Sequence, residues 1–117
     1  METLPERLSS SLEARFGRDA MQPLQLAGLP PALLLEANPH TRIALVILDG
    51  SIGPREMTLR IRGYFDHGMH EVWLIDPADQ TVELWNTPWQ PLQLSDDDSI
   101  SSPLLPGFSL PLLELFA

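Results

Sequence analysis

A small α/β or α+β sandwich, in which helices pack on a mixed sheet, is the fold class these 117 residues predict. Three observations predict it. Residues 64–85, YFDHGMHEVWLIDPADQTVELW, run from a helix end through a strand and a tight turn into a returning strand. An amphipathic helical period opens the chain. The apolar run IALVIL at 43–48 has the character of a central strand covered on both faces. The resulting order is helix, two or three strands, helix, then strands.

Thr3, Leu4, Pro5 and Glu6 combine a capping box with a proline in the first helical turn. Leu4, Leu8, Leu12 and Phe16 follow at four-residue spacing, and Gly17 is a suitable stop, so a helix is expected between them. Residues 21–28 admit a short edge strand, because Pro23 cannot donate to a central ladder. ALLLEA at 32–37 reads as a strand bounded by Pro30 and Pro31 before it and Asn38 and Pro39 after it. Residues 49–54 are turn formers. A second helix is expected from Arg55 to about His67, with Met57, Ile61, Tyr64 and Phe65 on its buried stripe and Gly68 at the left-handed cap position.

Residues 71–76 then form a buried strand, and Pro77, Ala78, Asp79 and Gln80 a turn. The return, 81–86, alternates strictly: Val82, Leu84 and Asn86 on one side, Thr81, Glu83 and Trp85 on the other. Residues 89–94 predict a further strand ending at Ser95, Asp96, Asp97 and Asp98. Residues 101–106 read as irregular, 107–110 as a short strand, and 111–116 as one or two turns of terminal helix.

Composition narrows the function. One domain over residues 1–117 is expected at this length, and an apolar fraction of 44% supplies one modest core. Sixteen acidic residues face 7 basic ones, for a net charge of −9. All the basic residues are arginines. An acidic surface repels a phosphate backbone, which argues against nonspecific nucleic-acid binding. The lack of cysteine excludes disulfides, thiol catalysis and thiolate metal sites. METLPERLSSSLEARF has neither the basic start nor the apolar core of a signal peptide. The longest apolar run falls far short of the roughly 20 residues a membrane span requires. A cytoplasmic protein without membrane attachment is therefore expected.

Several constellations have simple structural readings. His67 and His70, with Asp66 and Glu71 beside them and His40 elsewhere, would need a further ligand to hold a metal; His67 as a helix C-terminal cap is the preferred reading. Asp96, Asp97 and Asp98 lack the glycine and distal glutamate of a calcium loop. Ser9, Ser10 and Ser11 form a polar helix face without a companion histidine. Trp73 is read as core, whereas Trp85 either covers the second side of the sheet or enters an interface. Together with Trp89 and the Leu- and Pro-rich tail, this apolar surface predicts a homo-oligomer, most simply a twofold dimer.

Tyr64, Gly68, Glu71, the run Trp73, Leu74, Ile75, Asp76 and Pro77, and then Val82 and Glu83 carry a specific likeness. The tail residues Ser102, Pro103, Leu104, Leu105, Pro106, Gly107 and Phe108, with Leu113, Glu114, Leu115 and Phe116, extend it. On these residues the chain from Pro31 onward resembles the Uma-two family of restriction endonucleases, a branch of the PD-(D/E)XK nuclease superfamily. The resemblance implies a restriction-endonuclease-like mixed sheet flanked by two helices. It also implies a metal-dependent phosphodiesterase, in which carboxylates on two adjacent strands hold a cation such as Mg²⁺ and a nearby lysine assists.

That pattern puts the first carboxylate after the proline that opens ALLLEA, where this chain has Ala32. The second falls within IALVIL, at Val46, and the lysine, at the family's spacing before Tyr64, falls on Arg60. All three have changed, and the chain has no lysine elsewhere. A guanidinium does not act as a base. Glu36 shares a strand face with Ala32 but lies four residues, about 13 Å, along it. Asp49 and Glu56 are expected near the mouth of the cleft, with Arg55, Arg60 and Arg62 at its rim.

The expectation is therefore a catalytically degenerate nuclease fold with no catalytic residues and no cofactor. It would act as a self-associating binding module, with Glu36, Asp49, Arg55, Glu56 and Arg60 as candidate ligands for a small, anionic molecule. One alternative is a divergent Mg²⁺-dependent DNA endonuclease with its acids relocated to Glu36, Asp49 and Glu56. Another is a regulatory partner of an active relative.

Overall fold

The computed structural model describes residues 3–38 and 40–117, and every count and absence below concerns these described residues; Pro39, the expected strand boundary, lies outside them. Local signals set the first helix. Thr3 Oγ1 accepts from the Glu6 N–H at 3.3 Å and the Glu6 carboxylate accepts from the Thr3 N–H at 3.4 Å. Helix α1 (Leu4–Phe16) starts at that box and stops at Gly17, whose φ of 101° suits glycine.

Six strands follow, interrupted by one helix: β1 (Met21–Leu24), β2 (Ala32–Asn38), β3 (Thr41–Ile47), α2 (Pro54–Asp66), β4 (Glu71–Asp76), β5 (Thr81–Trp85) and β6 (Pro91–Leu94). They form one mixed sheet in chain order. Every pairing is antiparallel except β3 with β4, where Ile43 lies beside Glu71 and Ile47 beside Ile75. A parallel pair needs a long crossover, and α2 provides it. Its last turn closes with the Gly68 N–H on the Phe65 carbonyl at 3.0 Å and the Met69 N–H on the Tyr64 carbonyl at 3.2 Å. Gly68 at φ 90° makes this pairing, a Schellman motif, accessible.

Strand alternation divides the core in two. Leu35, Ile43, Leu45, Trp73, Ile75 and Val82 point to one face and meet Leu8 and Leu12 of α1. Leu34, Ala44, Val46, Val72, Leu74 and Trp85 point to the other and meet Met57, Ile61 and Tyr64 of α2. Trp85 thus covers the second side of the sheet, the first of the two placements its alternation allowed, and its indole donates to Glu83 Oε1 at 3.1 Å.

The C-terminal region departs from expectation. Residues 101–106 are not irregular: β7 (Ser99–Ser102) pairs with β8 (Leu105–Pro111) as a separate two-stranded sheet over the α1 face. Ile100 and Ser102 turn inward while Ser101 faces solvent, a two-residue period disguised by the turn propensity of serine and proline. Strand β6 begins at Pro91 rather than at Trp89. A short α3 (Leu112–Leu115) completes the chain, held to α1 because Arg7 donates to the carbonyls of Leu115 and Ala117.

Candidate functional site

The start of β2 and the end of β3 lie together because the two strands are antiparallel. Leu33 pairs with Leu45, so one step further the register sets Ala32 beside Val46. Both side chains belong to the apolar layer under α2, and Val46 is only 2% exposed. Just beyond them a cavity of about 130 Å³ is lined by Pro30, Pro31, Val46, Leu48, Asp49 and Met57, among others. Its wall is aliphatic apart from the loop 49–53.

Polar groups at this end are already engaged. Asp49 Oδ1 accepts the Ser51 N–H at 2.9 Å. Hydrogen bonds from the Ser51 side chain and then its backbone hold the Asp49 carboxyl below its ordinary range. Arg60 Nη1 lies 3.2 Å from Glu56 Oε1 and also donates to the Glu56 carbonyl at 3.3 Å. Arg55 and Arg62 are exposed. Tyr64 Oη donates to the Pro30 carbonyl at 2.8 Å, fastening α2 to the loop that precedes β2.

Burial pushes the Tyr64 phenol up to about 12, against the opposing pull of the Arg60 charge. Tyr64 is the chain's sole tyrosine, so absorbance at 295 nm reads it alone. The neutral phenol is favoured by folding. Its contribution is therefore complete below the unfolded value of 10 and disappears as pH rises through about 12. The expected titration shows little phenolate at pH 10.5; half-ionisation near pH 10 in the folded protein contradicts the burial described here.

The other candidates are dispersed. Glu36 lies toward the opposite end of β2, where Gln22 Nε2 donates to its Oε1 at 2.8 Å and Arg42 Nε approaches its Oε2 at 3.8 Å. Glu36, Asp49 and Glu56 are thus not gathered around one point. His67 caps α2, its Nδ1 2.8 Å from the Gly63 carbonyl, whereas His70 Nδ1 accepts the Arg42 N–H at 3.1 Å. Among the described residues no group of three or more histidine or acidic side chains is placed to hold a metal ion. The side chains at positions 32 and 46 do not fit a divalent cation. Ala32 and Val46 offer no oxygen, and Asp49 is the one carboxylate on the cavity wall.

A polar constellation that the sequence reading missed lies on the opposite face. Glu71 is 2% exposed; Trp73 Nε1 donates to its Oε1 at 2.6 Å and Ser102 Oγ donates to its Oε2 at 2.8 Å. It joins the large sheet to the β7–β8 pair. Trp73 in turn stacks on Phe108 at 6.4 Å between centroids and 18° between planes. The available signal was an acid two residues before a tryptophan within a run otherwise wholly apolar. Its partner Ser102 gave no signal, because 31 residues separate the two.

A mixed sheet whose parallel pair is bridged by a helix, with two facing positions on adjacent strands at the mouth of a cleft, defines a restriction-endonuclease-like fold. The Uma2 family, described as "Putative restriction endonuclease", matches residues 35–113, and the chain belongs to that family. The match includes Val46 and Arg60 and begins three positions after Ala32. The chain is also similar to a crystal structure of a "putative nuclease belonging to DUF820" from Anabaena variabilis, with a TM-score of 0.68 and 15% identity over 99% of this chain and 82% of that one. That likeness is one of fold. No curated protein matches the chain.

Proposed function

We propose that this Uma2-family chain is a nuclease fold without nuclease chemistry, serving as a binding and assembly module that associates with itself. One observation supports the reading: the β2–β3 register, continued one step from Leu33 and Leu45, sets Ala32 beside Val46, and both are aliphatic at the positions that the family resemblance assigns to the carboxylates. Hydrolysis of a phosphodiester by this route depends on a cation that activates water and neutralises developing charge. Without carboxylates on the paired strands nothing at that point holds one, and Arg60 supplies charge but no base.

Calorimetry with Mg²⁺ and Mn²⁺, run beside plasmid nicking, tests the proposal. Neither a binding heat nor nicked product is expected. A binding heat abolished by Asp49→Asn, together with cleavage, would establish the relocated-acid endonuclease instead.

A small anionic ligand at the arginine rim belongs to the same proposal and has its own requirement. Such a ligand must compete with Glu56 for Arg60. Phosphate, nucleotides and carboxylic acids are thus expected to raise the melting temperature more in Glu56→Gln than in the parent chain. If no anion shifts either protein, the ligand half of the proposal is lost while the assembly half stands.

A further inference from the structure

We infer that β6 is the seam at which two copies of this chain join, edge to edge and antiparallel, about a twofold axis at Leu92. The inference rests on the assembly half of the proposed function and names its surface.

Strand β6 pairs with β5 on one side and, among the described residues, with no strand on the other. Its outward N–H and C=O groups therefore form a template for another strand. The opposite edge of the sheet is blunted, because Pro23 sits inside β1 and removes a donor. In β6 the proline is the first residue, so the alternate N–H groups that residues 92–94 turn to the open edge are kept. Apolar surface is concentrated here as well. Trp89 is 76% exposed and Leu92 61%, two of the four large apolar side chains left in solvent among the described residues.

Charge identifies the occupant. Residues 87–95, TPWQPLQLS, carry no charge in a chain of net −9. Two copies repel over most of their surface, and like charges placed opposite each other across strands are destabilising. A neutral edge is where this chain can meet itself, and it offers a basic or acidic partner nothing complementary.

Geometry restricts the register to residue-centred ones, and the exposure of Leu92 selects among them. Antiparallel partners share a face, so a twofold axis perpendicular to the sheet must pass through a residue rather than between two. Centred on Leu92, it sets Leu92 against its twin and Gln90 against Leu94, all uncharged. Leu94, the last residue of the strand, lies two residues from the axis, so its two copies stand about 13 Å apart along the strands at 3.3 Å per residue, and Asp96 lies beyond it in the turn. Even the Leu94 separation exceeds the screening length of about 8 Å at physiological salt. The acidic turns thus leave the seam at opposite ends, and two six-stranded sheets become one.

Light scattering on a sizing column at about 100 μM should give twice the 13.1 kDa chain mass. Leu92→Glu and Leu92→Lys are each expected to weaken the dimer by at least about 100-fold, since like charges then meet at the axis. Mixing the two variants is expected to restore a mixed dimer. Circular dichroism and the melting temperature of each variant monomer confirm folding, which the exposure of Leu92 favours. A parent chain that is monomeric overturns both the seam and self-association. A parent dimer indifferent to both substitutions overturns the seam alone, and slowed amide exchange elsewhere than 91–94 on raising concentration does the same.

Discussion

Ala32→Asp combined with Val46→Glu is expected to lower the unfolding free energy by about 3–5 kcal/mol in metal-free buffer, because a charged group is then buried without a partner. Val46 is 2% exposed in the layer under α2, where an ionised carboxylate is largely withdrawn from solvent and has no positive partner. Manganese should reverse much of this. Two carboxylates on paired strands recreate a cation site, and an ion present at 100 times its dissociation constant returns about 2.7 kcal/mol. Urea unfolding of the double variant with and without Mn²⁺ reads the difference directly. Identical midpoints would mean that the register between β2 and β3 does not bring positions 32 and 46 to a common ion. The parent chain, with no oxygen at either position, is expected to show no such dependence on metal.

Glu71→Ala is expected to cost about 3 kcal/mol, from two buried donors deprived of their acceptor and a cavity left between the sheets. Glu71→Gln should cost far less. Its carbonyl can accept from Trp73 Nε1 while its amide donates to Ser102 Oγ, so both contacts persist. The two variants also separate by pH. Burial raises the Glu71 carboxyl above its ordinary 4.5, while the hydrogen bonds from Trp73 and Ser102 work in the opposite direction. A raised carboxyl means that the folded chain holds this proton more tightly than the unfolded chain. The stabilisation is complete below pH 4.5 and declines as pH rises from there through the raised folded value. In Glu71→Gln that declining component is absent, so parent and variant stability curves converge or cross with rising pH. Tryptophan fluorescence during urea unfolding at several pH values measures both curves. Parallel curves across the range would show that Glu71 does not carry the effect.

Much of the architecture was legible because local chemistry and tertiary packing agree. Thr3 and Glu6 form the box their spacing implies, Gly68 takes the left-handed cap, and Val82 and Leu84 face opposite Glu83 and Trp85. The β7–β8 pair was hidden because serine and proline favour turns locally, and only a partner several residues on makes 99–102 a strand. The relation between Ala32 and Val46 was legible in part. Family resemblance named the positions, but their adjacency is a property of strand register, which no local signal specifies. Glu36, Asp49 and Glu56 show the converse. They are close in sequence type and role, yet Glu36 is held by Gln22 and Arg42 while Glu56 turns to Arg60. A choice between charged partners depends on which side chains the fold delivers, and that cannot be read along the chain.

The single parallel pairing among the described residues, β3 with β4, also bears on how the chain reaches its native state. Strands β1 to β3 and β4 to β6 are two neighbourly zigzags, each able to zip through short loops. Joining them brings Ile43 beside Glu71, 28 positions away, and the entropy of closing that span is lost before any contact across it is gained. The helix between the halves shortens the span that must be closed. Weakening α2 is therefore expected to slow refolding in stopped-flow mixing, whereas weakening the outer strands is expected mainly to speed unfolding.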